Sequence, residues 1–131
     1  MFFLDTDTCV FILRGSSAPA LEQMKQTPHG LIKIPAVVLA ELSFGACKAA
    51  TVSAHKAVAF FMLPFEVIPF DAPAAEIYGD LRMALEKKGK PIGSNDLMIA
   101  ATVISRRGTL ITHNIKEFSR IPGLHWQDWS V

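Results

Sequence analysis

Short apolar runs alternate with longer stretches of helical spacing, and a carboxylate, a proline or a polar turn closes each run. Phe2-Phe3-Leu4 ends at Asp5, and Leu31-Ile32-Lys33-Ile34 ends at Pro35. Glu66-Val67-Ile68-Pro69-Phe70 ends at Asp71, and Thr109-Leu110-Ile111-Thr112 runs into His113-Asn114. Three apolar residues alone do not separate strand from helix. The Thr6-Asp7-Thr8 that follows the first run is cap and turn chemistry, so strand then helix is the better reading. Helices are then expected over Cys9–Leu13, Ala18–Gln26, Pro35 to about Ala49, and Thr51–Leu63. Two more follow, Ala72–Lys88 capped by Asp71, and one starting at Ser94-Asn95-Asp96 and running to Arg106. Leu124-His125-Trp126 reads as an edge strand. Strands that alternate with helices form parallel sheets, because parallel neighbours need crossovers. At 131 residues the chain has the length of one domain. The expectation is one α/β domain over residues 1–131, with a central parallel sheet of four to five strands flanked by helices.

Half the residues are hydrophobic and 19% are charged, against roughly 25% in a typical soluble domain. That excludes a disordered chain. The longest apolar run, Ala57–Phe65, is about half of the ~20 residues needed to span a bilayer, and Pro64 interrupts it. Asp5 comes too early for a secretory signal. Cys9 and Cys47 form no metal-ligand pattern and read as buried thiols in a reducing cytosol, so a cytoplasmic protein is expected. A net charge of +1 does not mark the chain as a nucleic-acid binder.

Most acids lie on polar faces or at element ends, but three do not. Asp5 ends an apolar strand, Glu41 is the only acid of its apolar helix, and Asp96 precedes Leu97-Met98-Ile99-Ala100-Ala101. A carboxylate in such surroundings is costly to ionise unless it is paired or bound to a cation. Ligands of open α/β sheets gather beyond the carboxyl ends of the strands, where Asp5, Asn114 and Glu117 all fall. Each residue also has a plainer role available. Asp5 can cap the first helix, Asp96 can favour a helix dipole, Glu41 can pair with a lysine, and Asn114 can cap Ile115–Phe118. Hard oxygen ligands without His or Cys favour Mg²⁺ or Mn²⁺ over Zn²⁺, and such ions suit phosphoryl displacement.

Four blocks, in order, carry a resemblance. They are Leu4-Asp5-Thr6-Asp7-Thr8, Ala40-Glu41-Leu42-Ser43-Phe44-Gly45-Ala46, Pro91-Ile92-Gly93-Ser94-Asn95-Asp96-Leu97-Met98-Ile99-Ala100-Ala101, and Leu110 to Leu124 with Thr112-His113-Asn114 and Glu117 inside it. Over nearly its whole length the chain resembles PIN-domain ribonucleases of the VapC type, the toxins of toxin–antitoxin pairs. The resemblance implies a PIN-like fold and a metal-dependent endoribonuclease that leaves 5′-phosphate and 3′-hydroxyl ends. It implies Asp5, Glu41 and Asp96 as the metal-site acids and Mg²⁺ or Mn²⁺ as the cofactor. The fourth family position falls at Asn114, expected to orient water or substrate, with Glu117 helping from the rim and Thr112 in support. Asp7 stands where the family usually has Asn, and His113 where a small polar residue is commoner. The implied partners are a cognate antitoxin, an RNA substrate (transfer RNA before ribosomal or messenger RNA), and a second copy in a homodimer or a toxin–antitoxin assembly.

Charge distribution supplies what net charge does not. Residues 82–120 hold eight basic side chains against three acids, a net of +5. Lys87, Lys88, Lys90, Arg106, Lys116 and Arg120 are the expected RNA-binding residues; such contacts give affinity with little sequence choice. Phe44, Phe60, Phe61 and Met62 read as core before interface, and Trp126 and Trp129 as anchors of the C-terminal edge. Two rivals stay open. An apolar strand followed by Asp5-x-Asp7 also fits haloacid-dehalogenase-like phosphatases, with Asp5 as nucleophile and Asp7 as acid/base. A PIN-like fold can also serve as a catalytically inactive binding module. A Ser or Cys hydrolase is disfavoured, because no Gly-x-Ser-x-Gly occurs.

Overall fold

The central strand of the sheet is also the first. A computed structural model describing residues 1–131 places β1 (Phe2–Leu4) between β2 (Ile32–Pro35) and β4 (Thr109–Ile111), with β3 (Glu66–Ile68) and β5 (His125–Gln127) at the edges. The order is β3-β2-β1-β4-β5 and every pairing is parallel. The chain winds outward from β1 to one edge and then returns to fill the other side. This reversal puts a topological switch point beside the carboxyl ends of β1 and β4, where open α/β sheets bind ligands.

Seven helices supply the crossovers: α1 (Thr6–Arg14), α2 (Ala18–Gln26), α3 (Ala36–Ala49), α4 (Val52–Met62), α5 (Ala72–Lys87), α6 (Ser94–Ser105) and α7 (Ile115–Phe118). Gly15 ends α1 with φ +62°, a left-handed conformation that a residue without Cβ adopts without strain. Asp71 caps α5 through its side chain, which accepts from Ala74 N–H at 3.2 Å. Pro35 closes β2 and precedes α3, instead of opening the helix. None of the helices is long and apolar enough to cross a membrane.

The three central strands are buried on both faces. Phe3, Leu4, Ile32, Ile34, Leu110 and Ile111 are fully buried, so their apolar character is continuous rather than alternating. α6 packs close by through Leu97, Ile99, Ala100, Ala101 and Val103. Two side-chain expectations are corrected. Phe44 and Phe60 are 65% and 78% exposed, because the inward face of α3 is already filled by Val38, Leu42 and Ala46 and α4 buries no residue fully. Cys47 is exposed, whereas Cys9 is buried. Phe61 and Met62 do pack against the core, and Trp129 is buried against Phe2 at 5.6 Å between ring centroids, while Trp126 stays exposed.

Gly108 leads into β4 directly beneath the ring of Phe3, and a Cβ there would overlap that ring. Gly108→Ala is therefore expected to destabilise the protein by about 1–3 kcal/mol. Adding Phe3→Leu should recover part of that loss. Urea unfolding of the single and double variants measures both, and a Gly108→Ala protein as stable as the parent would contradict this packing.

Candidate functional site

An acidic cleft opens at the switch point. Asp5, Thr6, Asp7, Val10, Phe11, Glu41, Asp96 and Asn114 line it, around about 370 Å³. Four elements converge to make it: the β1–α1 junction, the middle of α3, the first turn of α6 and the loop after β4. The N-termini of α1 and α6 carry Asp5 and Asp96, so their dipoles favour negative charge there.

Asp96 does stand in the first turn of α6, the plainer role open to it, but Asp5, Glu41 and Asn114 do not take theirs. Asp5 occupies the N-cap position of α1, yet its side chain makes no cap hydrogen bond. Instead its Oδ2 accepts from the Thr112 hydroxyl at 2.7 Å, across the ends of β1 and β4. Glu41 forms no ion pair with a lysine; its Oε1 accepts from Thr6 Oγ1 at 2.7 Å. Asn114 precedes α7 without a side-chain cap bond, and its own N–H donates to Thr112 Oγ1 at 2.9 Å. Its side chain is thereby left to line the cleft.

Asp7 has a different job. Its Oδ1 accepts from Thr8 N–H at 2.7 Å and its Oδ2 from His113 N–H at 3.2 Å, tying α1 to the loop after β4. Asp7 also lines the cleft beside Asp5, and these bonds hold its carboxylate between α1 and the loop after β4. Neither Cys9 nor the His113 cluster forms an activated nucleophile pair. Burial pushes the Cys9 thiol up, away from thiolate. The Asp128 carboxylate and the Ser130 hydroxyl both approach the same nitrogen of His113, Nδ1, at 2.9 and 3.0 Å, which is not a proton-relay geometry.

The cleft acids carry unbalanced charge. Burial, then repulsion from Asp7, raises Asp5 to about 7. Burial, then repulsion from Glu41 and Glu117, raises Asp96 to about 6. Such shifts mark a place where negative charge lacks a cation. Every donor in the cleft is a hard oxygen, which fits a divalent ion of the Mg²⁺ class. The acids surround the cleft rather than meeting at a point: no three His, Cys, Asp or Glu side chains form a compact ligand group. An ion that keeps several of its own waters suits that spacing.

Glu117 lies outside the cleft lining. Its charge reaches Asp96, but Arg120 holds its carboxylate in an ion pair. Arg120 is thereby paired with Glu117. Arg106 is not brought to the cleft: it sits at the far end of α6, about 15 Å of helix from Asp96, and bonds Asp71 at 2.9 Å. Lys87, Lys88 and Lys90 are exposed on the connection that leads into the Asp96 end of α6, and Lys116 is exposed on α7. Sequence reading missed the Thr6 hydroxyl on Glu41 and the Asp7 tie to the loop. A hydroxyl directly after a strand-end acid is the one local signal that pointed to the first.

Comparison with known proteins identifies the family. The family model described as PIN domain matches residues 2–124. The chain is 37% identical over 131 residues to Ribonuclease VapC2 of Rickettsia felis, covering 98% of each chain. It is 36% identical over 130 residues to the tRNA(fMet)-specific endonuclease VapC of Shigella flexneri, again covering 98% of each. The crystal structure of VapBC2 from Rickettsia felis bound to a DNA fragment from its promoter superposes with a TM-score of 0.86, at 36% identity over 98% of both chains.

Because Asp5 and Asp96 titrate higher when folded than their usual 3.8, the folded chain binds extra protons between about pH 4 and 7. Their contribution to stability is complete below about pH 4 and is lost as pH rises through 6 and 7. In EDTA the thermal midpoint is expected to fall by roughly 5 °C between about pH 5 and pH 7.5. Asp96→Asn should reduce that fall, and Mn²⁺ should reverse it. A parent midpoint that rises across this window would show that the acids are not held unbalanced.

Proposed function

The chain belongs to the PIN-domain family, beside the VapC ribonucleases, and from that premise we propose that this cleft hydrolyses RNA phosphodiester bonds with Mg²⁺ or Mn²⁺. One observation carries the site assignment: Asp5, Glu41 and Asp96, far apart in sequence, line one cleft with no basic side chain among its walls. Asp5 and Asp96 would hold the ion, and Glu41 would hold water or a second ion. When bound, a divalent ion neutralises charge developing on the phosphate oxygens and makes water a better nucleophile.

The chain's own residues do the positioning. Thr112 fixes the Asp5 carboxylate by donating to Oδ2, and Thr6 fixes Glu41 by donating to Oε1. Both leave the second oxygen of the carboxylate for the ion or its waters. Asn114 presents an amide at the lip that can accept from water or donate to a phosphate oxygen. Water adds to phosphorus, the P–O3′ bond breaks, and the products are a 5′-phosphate and a 3′-hydroxyl. Lys87, Lys88, Lys90 and Lys116 serve as the phosphate-contacting residues around the cleft, giving salt-dependent affinity.

The substrate proposed is transfer RNA, since the Shigella flexneri relative is a tRNA(fMet)-specific endonuclease. The proposed partner is a cognate antitoxin that inhibits the chain, in an assembly that also pairs two copies. A second opening between α1, α3 and α4, about 310 Å³, is lined by Val10, Leu13, Leu42, Ala46, Ala57 and Val58 among others. It reaches Thr6 and Glu41 at the cleft, so an apolar segment seated there would lie against the acids.

Purified chain free of antitoxin, incubated with transfer RNA, is expected to cleave in Mg²⁺ or Mn²⁺ and not in EDTA. Asp96→Asn should lower the rate by about a hundredfold or more, with the fold intact by circular dichroism. Asn114→Ala should cost less than Asp96→Asn if it orients rather than holds charge. Metal-dependent cleavage left whole in a folded Asp96→Asn protein would overturn the assignment.

A further inference from the structure

The acidic cleft does not stop at Glu41. A third opening, of about 520 Å³, continues from it along α3, walled by Thr6, Glu41, Phe44, Gly45, Lys48 and Asn95 among others. Thr6 and Glu41 belong to both openings, so the two are continuous. Glu41, Phe44, Gly45 and Lys48 stand at i, i+3, i+4 and i+7, one face of α3, and span about 10 Å of helix axis. They form a line that leads outward from the catalytic acid.

The composition of that line is unusual for a helix surface. Phe44 is 65% exposed, although the core needs nothing from it. The Lys48 ammonium lies 5.4 Å from the centre of its ring and forms no salt bridge. Gly45 leaves the floor open: a Cβ there would meet nothing within 4 Å. Asn95 is exposed on the opposite wall, at the start of α6 and next to Asp96, with an amide that both donates and accepts. An exposed aromatic ring is the sequence-tolerant stacking partner for an unpaired nucleobase, and a nearby cation serves the phosphate that follows.

We propose that this opening is a nucleotide subsite for the RNA substrate, in which a base flanking the cut stacks on Phe44, Lys48 meets the adjoining phosphate, and Asn95 faces the base edge. The proposal rests on the ribonuclease reading above. The lining favours a nucleotide over a protein segment, because Thr6, Glu41, Lys48 and Asn95 are polar, whereas the apolar opening between α3 and α4 offers a protein partner the better surface. It also explains how RNA settles beside a cleft of acids: stacking supplies attraction that does not depend on charge, and Lys48 adds a positive group on the same helix as Glu41.

The test uses the full chain. Binding of a short single-stranded RNA is followed by fluorescence anisotropy in EDTA, where cleavage is not expected, and kcat and KM are measured with Mn²⁺. Phe44→Ala and Phe44→Leu are expected to weaken RNA binding about tenfold or more, while Phe44→Trp stays within about threefold of the parent. Lys48→Met should flatten the dependence of log Kd on log salt by roughly 0.7, the loss of one phosphate contact to a single strand. Thermal midpoints should not change, because Phe44 is exposed. Equal RNA binding by the parent, Phe44→Ala and Phe44→Leu would overturn the proposal. So would a Phe44→Ala protein that binds RNA normally but loses self-association or antitoxin binding, which would make this face a protein-docking surface. A parent that cleaves no RNA with metal would count against the ribonuclease reading instead, and the ranking of the variants in EDTA would still decide the subsite.

Discussion

Asp5 is 5% exposed at the end of the central strand, and the Thr112 hydroxyl donates to its Oδ2 from the end of the neighbouring strand. Around this bond the local architecture is arranged. Asp5 N–H donates to Ile111 carbonyl at 2.9 Å, and Thr8 Oγ1 donates to the same carbonyl at 3.1 Å. The first helix therefore starts where β4 ends, and the loop carrying Asn114 is fixed over the start of α1. The Asp7 carboxylate closes the arrangement by accepting from His113 N–H. A buried carboxylate with one hydroxyl partner is energetically poor in isolation, and it persists because packing on both faces of the sheet fixes every element that reaches it.

Charge around the cleft follows from the same architecture. The acids come from helix starts and from one helix interior, all at the carboxyl end of the sheet. Two of the basic residues that looked available are already used: Arg106 braces the α5 cap at Asp71, and Arg120 balances Glu117. Cations outside any salt bridge include Lys87 at the end of α5, Lys88 and Lys90 on the α5–α6 connection, Lys116 on α7, Lys48 on α3 and Arg14 at the end of α1. On the proposed reading, a phosphate chain would meet lysine point charges on the approach and concentrated negative charge at the cleft. A divalent ion would reconcile the two, since it would supply at the cleft the positive charge that the protein itself withholds.

Both α3 and α4 expose apolar side chains, Phe44 on the first and Val52 and Phe60 on the second. α4 buries none of its residues fully, and Phe60 is largely open to water. Such a surface is costly for a solitary chain and is consistent with a chain that works in an assembly. The two openings beside α3 differ in character. One is apolar and faces α4, and the other is polar around a single aromatic ring. Both share Thr6 and Glu41 with the acidic cleft, so whatever occupies either one is felt at the acids.

The sequence determined the alternation of strands and helices, the cap at Asp71, the breaks at Gly15 and Pro64, and the oddity of Asp5, Glu41 and Asp96. These are local facts: short apolar runs, turn chemistry and carboxylates in apolar context can be read from neighbours along the chain. The strand order was not legible, because parallel pairing joins residues such as Phe3 and Leu110 that no local pattern connects. Nor were the partners of the polar groups. Thr6 on Glu41, Thr112 on Asp5, Arg106 on Asp71 and His113 on Asp128 all bridge elements distant in sequence. The same limit explains Phe44. An aromatic residue within an apolar helix reads as core, and only the packing of α3 shows that Val38, Leu42 and Ala46 fill the inward face and turn the ring toward the cleft. Composition and spacing decide which elements form. Which side chains meet is decided by the closing of the sheet, since hydrogen bonds and burial act across space and not along the chain.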